Sequence, residues 1–434
     1  MKIKKQDTTA FTIFSTHLHK LISKEDPKRK ILDKLDWKEL EEYGKKAYAS
    51  EWYQECSNPR IMIGLFVYSC LVDKTYRELE EDFKYHLICQ YACGFTEVKQ
   101  RNIDHTTLIK FEKNLKLGNV LKIKDMIEKA SIENQLSRKK GSHSFDTSVA
   151  ESNITYPTDT KLMETVRKFL VEDVIKKVGK QVDQEHRHYG RVARKDYVNF
   201  CKKRKPKKQE IKKIKKKQLQ YLKRNIKQAE KVLEAFEKIS QTKQEKKQYK
   251  KLKTKLIIAK KIYEQQKDLY EGKKIKNRIV SFHRPEIRPI FRGKIKQNTE
   301  FGVKLGMTTC GKVIVLGKMS FDNFHDGAGL RETVQTIKKK GNKINEIAAD
   351  KGCAGNDRFC KQEGIKNGIE RRGKQKAPPE IPKKRFVRMR NEMEGAFGTI
   401  KMVFGLMKMR AKTTYGDLLK ICKACIGYNL KYAF

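Results

Sequence analysis

The chain has 434 residues, enough for two or three domains with cores of their own. It carries 100 Lys and Arg against 52 Asp and Glu, a formal charge of +48 that repels itself and calls for a polyanionic partner, nucleic acid first, unless Lys-rich coding alone inflates it. Ten scattered Cys exclude a disulfide framework, the polar, Lys-rich start excludes a secretory leader, and the longest apolar run, Ile61 to Val72, is too short to span a bilayer, so a soluble cytoplasmic protein is expected.

Residues 27 to 118 read as helices. Trp37, Leu40 and Tyr43 recur at helical spacing, and Ile61 to Leu71 is apolar on most sides, as a buried helix must be. Thr75-Tyr76-Arg77-Glu78 spells a capping box, in which the Thr hydroxyl and the Glu carboxylate satisfy each other's free N–H groups. A helix, a short turn and a capped helix fit a DNA-binding helix-turn-helix or a plain bundle equally well. Asp104-His105-Thr106-Thr107 opens another helix, which carries Leu108, Phe111 and Leu115.

From 140 to 156 the character changes. Ser144 to Val149 reads as a short strand with Asp146 in its middle, and Tyr156-Pro157-Thr158-Asp159 as a turn into a helix. In 207 to 272 two apolar seams step by three and four: Leu222, Ile226, Ala229, Leu233 and Phe236, then Tyr249, Leu252, Leu256, Ala259, Tyr263, Gln266 and Tyr270. Ser240-Gln241-Thr242 separates them, so an antiparallel coiled-coil hairpin is predicted. Its Lys-rich outer face is either a basic arm for DNA or simply a solvated surface.

Strand-like sequence returns from Arg278. Thr299 to Leu305 and Lys312 to Leu316 are β-rich with a turn at Gly311, a helix is expected near Leu330 to Lys339, and Ile344 to Ala349 is a short buried strand ending at Asp350. Residues 355 to 363 suit a short helix and Lys366 to Ile369 a strand. Pro378, Pro379 and Pro382 precede a long helix from Lys384 to Leu406.

Three acids stand out by position: Asp146 within a strand, Asp350 at a strand end before a Gly turn, and Glu394 on a helix. Ligands gather at strand ends and adjacent helix faces. Phosphodiester chemistry uses carboxylates there, because two hard divalent cations about 4 Å apart activate the attacking oxygen and stabilise the leaving one. Arg390, Glu394 and Lys401 fit R-x3-E-x6-K and share one helix face, a carboxylate flanked by two cations.

In this order the chain resembles the DDE transposases of bacterial insertion sequences, in the insertion-sequence-five-like group, from about residue 55 to 410. The resemblance includes Pro59-Arg60, Thr75 to Phe83, Asn102 to Phe111, Phe145 to Asn153 and Tyr156-Pro157-Thr158-Asp159. It continues through Arg292-Gly293-Lys294, Glu300 to Lys304, Ala349-Asp350-Lys351-Gly352 and Glu394 to Lys401. A departure is Val387, where family members often carry Tyr three residues before the Arg.

The resemblance implies an α/β fold: an RNase-H-like mixed five-stranded sheet flanked by helices, with a helical N-terminal domain (1–125) that binds DNA ends. The catalytic domain would span 140–434, interrupted at 160–275 by the coiled-coil arm. It implies that Asp146, Asp350 and Glu394 are catalytic and bind two Mg²⁺ ions, with Mn²⁺ as a substitute, and that Arg390 and Lys401 contact DNA. The partners implied are double-stranded DNA, as terminal inverted repeats and target, and a second copy of the chain. The activity implied is cleavage at element ends and strand transfer. An inactive DNA-binding derivative and a nuclease of the same fold are the alternatives.

Individual residues have competing readings. Asp146 also suits a strand edge bonding backbone, Asp357 rivals Asp350, and Glu392 rivals Glu394 without the Arg and Lys spacing. Glu151 and Glu300 lie outside the triad and suit structural roles. Cys422-Lys423-Ala424-Cys425 has no second pair at zinc-finger spacing and reads as a buried thiol pair on an apolar helix. His105 reads as a capping or packing residue with no metal role, while His143 and His283 have no assignment.

Overall fold

A computed structural model describes residues 17–48, 58–98, 102–134, 141–291, 299–371 and 380–433. Arg292-Gly293-Lys294, Pro378 and Pro379 lie outside these residues. The longer helices are α1 (Pro59–Val72), α2 (Tyr76–Tyr85), α3 (His105–Glu133), α4 (Asp159–Phe169), α5 (Gly190–Cys201), α6 (Lys208–Ile239), α7 (Lys243–Tyr270), α8 (Asp326–Lys339), α9 (Lys383–Met402) and α10 (Thr414–Tyr432). The strands are β1 (Ser142–Glu151), β2 (Arg288–Phe291), β3 (Thr299–Cys310), β4 (Val313–Ser320), β5 (Glu346–Ala349) and β6 (Lys366–Ile369). Among the described residues no helix is long and apolar enough to cross a membrane.

Two compact units emerge. One joins Met1–Ser152, Val303–Ser320 and Phe324–Phe434; the other holds Asn153–Gly302 and Phe321–Asn323. The N-terminal helices thus share a unit with most of the sheet, where the sequence suggested a break after residue 125. Residues 160–275 fall wholly within the second unit.

In the first unit the apolar run becomes α1, started by Pro59 at its first position and by Asn58, whose side chain accepts from the Arg60 N–H at 2.8 Å. Every residue from Met62 to Leu71 is buried. Such all-round burial is that of a bundle centre, and α3 and α10 pack against it. The capping box at Thr75 starts α2: the Thr75 N–H donates to Glu78 at 2.7 Å, and the Glu78 N–H donates back to the hydroxyl. The helix opened by Asp104 runs well past Leu115 to Glu133, with a local break at Lys116.

The sheet of this unit runs β4-β3-β1-β5-β6. Strands β3 and β4 form an antiparallel hairpin through Gly311, whose φ of 58° is a conformation glycine adopts without strain. Strand β5 is parallel to both β1 and β6. This is the mixed, helix-flanked sheet expected. Alternate residues of β5 serve opposite faces: Ile347 and Ala349 join Phe145, Leu330, Val334 and Ile337 on the α8 side, and Ala348 joins Phe386 and Met389 on the α9 side.

In the second unit α6 and α7 are antiparallel. Glu237 pairs with Lys253 at 3.7 Å and Glu230 with Lys260, so seven residues back along one helix answer seven forward along the other. Leu222, Ile226, Ala229, Leu233 and Phe236 are buried against Leu252, Leu256, Ala259 and Ile262. The hairpin is not a bare two-stranded arm. Leu162 and Val166 of α4, with Leu170, Val174 and Val178 just beyond, bury themselves in the same core. Strand β2 pairs with Thr299–Gly302 of β3 in this unit.

Candidate active site

Strand register brings the two aspartates together. In the parallel pair of β1 and β5, Ser142 lies opposite Glu346, His143 opposite Ile347 and Ser144 opposite Ala348. Two residues beyond the last of these pairs come Asp146 on one chain segment and Asp350 on the other. Neighbouring strands lie about 4.8 Å apart, so these residues are level neighbours, Asp146 in the middle of β1 and Asp350 just past the carboxyl end of β5. Burial pushes the Asp146 carboxyl above its ordinary value, and the negative Asp350 adds to the push while Arg390 opposes it.

Helix α9 packs across β1 and β5. Arg390 donates from one guanidinium nitrogen to the Phe145 carbonyl at 2.9 Å and from another to Asp146 Oδ2 at 3.0 Å. The other Asp146 oxygen accepts the Thr147 N–H at 2.6 Å. Arg390 is therefore fixed to β1. Glu394 is on the same stripe of α9, one turn or about 6 Å further along, and is exposed. Among the described residues it has no hydrogen-bond or ion-pair partner. Lys401 is half-buried two turns beyond Glu394, on the same stripe. Donor atoms of Asp146, Asp350 and Glu394 do not all come within 4.8 Å of one another; among the described residues that closeness is met by Glu80, Asp104 and His105. There Asp104 caps α3, and the His105 ring lies 3.1 Å from Glu80.

A fourth acid, Asp326, joins the site, and sequence reasoning missed it. It opens α8 and accepts the Thr147 hydroxyl at 2.9 Å and the Lys304 ammonium at 2.8 Å, both on Oδ1. A Cβ at Gly352 would stand 2.9 Å from Asp326 Oδ2 and 2.9 Å from Asp350 Oδ1, so these oxygens converge on a space that only glycine leaves open. Next to it burial raises the Cys353 thiol, and Asp350, Asp326 and Asp146 all add to the rise. The available signal was an acid after His325 at the start of a helix that follows the β3–β4 hairpin. In sequence that acid is indistinguishable from a helix-capping residue.

The other candidates fall elsewhere. Asp357 accepts from Asn367 at 2.6 Å and Arg371 at 2.8 Å, in a local network at β6. His143 is buried with its ring 3.2 Å from the Thr308 hydroxyl, and burial lowers it to about 4, so it is a neutral core residue. Cys422 and Cys425 are buried free thiols, and burial raises Cys422 to about 12.

Residues 16–114 match the family model described as Transposase domain (DUF772). No curated protein and no solved structure matches the chain. The match covers α1, α2 and the start of α3, and supports a transposase role in general terms. Asp146, Asp326, Asp350 and Glu394 lie outside it.

Proposed function

We propose that this chain is a DDE transposase, in which Asp146 and Asp350, completed by Glu394, hold divalent metal for cleavage of element ends and strand transfer into target DNA. The observation that carries this reading is the parallel register of β1 and β5, two neighbouring interior strands, which carried two residues further sets Asp146 level with Asp350. The donors there are all carboxylate oxygens, the set that hard cations such as Mg²⁺ or Mn²⁺ prefer, and the gap over Gly352 is one that a side chain would fill. Bound as a pair, such ions supply activation of an attacking oxygen and charge stabilisation on a leaving one.

The chain's own residues prepare that site. Arg390 takes one oxygen of Asp146 and the carbonyl before it, which orients the carboxylate and offsets its charge. Lys304 and the Thr147 hydroxyl hold one oxygen of Asp326, leaving the other turned toward Asp350. Glu394, exposed on α9 one turn beyond Arg390, would complete the set from the helix side. Lys401, two turns on, suits a phosphate further along the DNA. Joining two element ends makes the acting species at least a dimer on double-stranded DNA.

The test is Mg²⁺-dependent nicking of DNA carrying the cognate ends. Asp146→Asn, Asp350→Asn and Glu394→Gln should each lower the rate by more than about a hundredfold. Asp326→Asn should lower it by about 10–100-fold, the range for groups that orient metal ligands. Cleavage at the parent rate by all three triad variants would defeat the reading. Joining of the freed 3′ ends to a second DNA separates a transposase from a nuclease of the same fold.

A further inference from the structure

A large cavity has no part in the chemistry above. It is a cleft of about 980 Å³ within the second unit, formed where the loop before α4 meets α6, the segment after α7, and the β2–β3 pair. Aromatic rings line it: Tyr156, Phe200, Phe291 and Phe301. Two are unusually bare for their size, Tyr156 at 70% exposed and Phe291 at 68%. Tyr156 and Phe301 meet in a T-shaped arrangement, with ring centres 5.8 Å apart. Large exposed rings beside a cavity are costly in water and mark a surface that meets something.

The charges say what kind of thing. One acid, Asp159, lies in the wall. Lys215, at 2.5 Å, and Arg278 both pair with it, and Gln266 donates to it at 3.3 Å. Its negative charge is more than met, and Lys274 on the rim is exposed. Ile211 and Lys215 of α6 also line the cleft, and on the same helix Lys208 and Lys212 are exposed. Before them Lys202, Arg204, Lys205 and Lys207 are exposed as well. A cationic track thus runs up to a cleft walled by open rings, and the ligand it fits is anionic at repeated intervals and flat between them.

We infer that this cleft binds an unpaired stretch of DNA, with bases stacked on Tyr156 and Phe291 and phosphates drawn along Lys274 and the lysines leading into α6. Stacking platforms combined with a basic groove are the general means of holding a single strand without reading its sequence. The volume lies at the top of the range for small-molecule pockets, about 300–1,000 Å³, room for a short run of nucleotides. A duplex keeps its bases stacked on one another and so offers no interior base faces to the rings. The inference extends the transposase reading by giving an opened strand a place to go, but the cleft needs neither the carboxylates nor metal to bind it.

The experiment uses the full chain in EDTA, with a fluorescent short oligothymidylate, a duplex of unrelated sequence, and an oligothymidylate carrying one 2-aminopurine. Tyr156→Ala with Phe291→Ala should weaken oligothymidylate binding by about tenfold or more while duplex affinity stays within about twofold. The parent should change the 2-aminopurine fluorescence on binding and the double variant should not. Both rings are mostly exposed, so the thermal transition should be unchanged, which separates lost stacking from lost folding. Asp146→Asn should bind the oligonucleotide like the parent, so a failure of the catalytic reading would leave this result standing. Equal binding of oligothymidylate by parent and double variant, or equal loss of single strand and duplex, would overturn the proposal.

Discussion

At Asp146, the proposed function and stability pull in opposite directions. The proposed metal site would need an ionised carboxylate, yet burial beside Asp350, only partly offset by Arg390, holds the Asp146 pKa above its ordinary value. A raised native pKa means the folded state favours the protonated form. The stability this confers is complete below the ordinary carboxylate range and is lost as pH rises through the raised native value. At neutral pH the ionised group is therefore a net cost in the metal-free protein. Asp146→Asn keeps the shape and removes the charge, so its melting temperature without metal should equal or exceed the parent's at pH 7. At pH 4 the gain should shrink, and calorimetry at the two pH values checks it. A lower melting temperature at pH 7 would mean that the Arg390 pair outweighs the burial of Asp146.

At the scale of elements, close approach decides where helices sit. Strand and helix identities were largely legible: the Lys366–Ile369 strand, the helix to Lys339, and both seams of the α6–α7 hairpin follow from periods of two and of 3.6. Their lengths and neighbours were not. Pattern cannot tell that α3 continues to Glu133, or that α4 covers one side of the hairpin, because an apolar stripe records that a face is buried and not by what. Gly427 is a further case. On α10 it reads as a mild helix weakener, yet a Cβ there would stand 2.1 Å from the Cys70 carbonyl oxygen of α1 and 2.6 Å from the Phe404 ring. Gly427→Ala must push two packed helices apart, and overpacking of this kind costs about 1–3 kcal/mol despite the better helix propensity of Ala. Urea unfolding should show that loss; a stabilised variant would show that the crossing relaxes freely.

At the scale of the first unit, a buried charge network ties its helical bundle to its sheet. Lys124 on α3 is almost wholly buried, 2.8 Å from Glu128 and 2.5 Å from Asp125. Glu128 is fully buried; it accepts the Leu316 N–H of β4 at 3.1 Å and pairs at 3.0 Å with Lys340, just past α8. Burial alone would drive the Lys124 ammonium to neutrality, but Glu128 and Asp125 outweigh it and hold the group well above its usual range. Removing one partner strands the others, which costs about 3–5 kcal/mol. Glu128→Ala should lose that much in denaturant unfolding, whereas the loss of an exposed pair such as Lys176 with Glu172 should cost under about 1 kcal/mol.

By itself the sequence determined the elements, their order, the excess positive charge, and which acids stand at strand ends or on a helix face, because each is a property of neighbours along the chain. It left four matters open: that Asp146 and Asp350 lie level on adjacent strands, that Arg390 is bound to β1, that Asp326 turns an oxygen toward the same gap, and that aromatic rings more than a hundred residues apart line one cleft. Only the tertiary structure decided these. Strand register and helix docking are set by the packing of whole faces against one another, and no local pattern of residues records that sum.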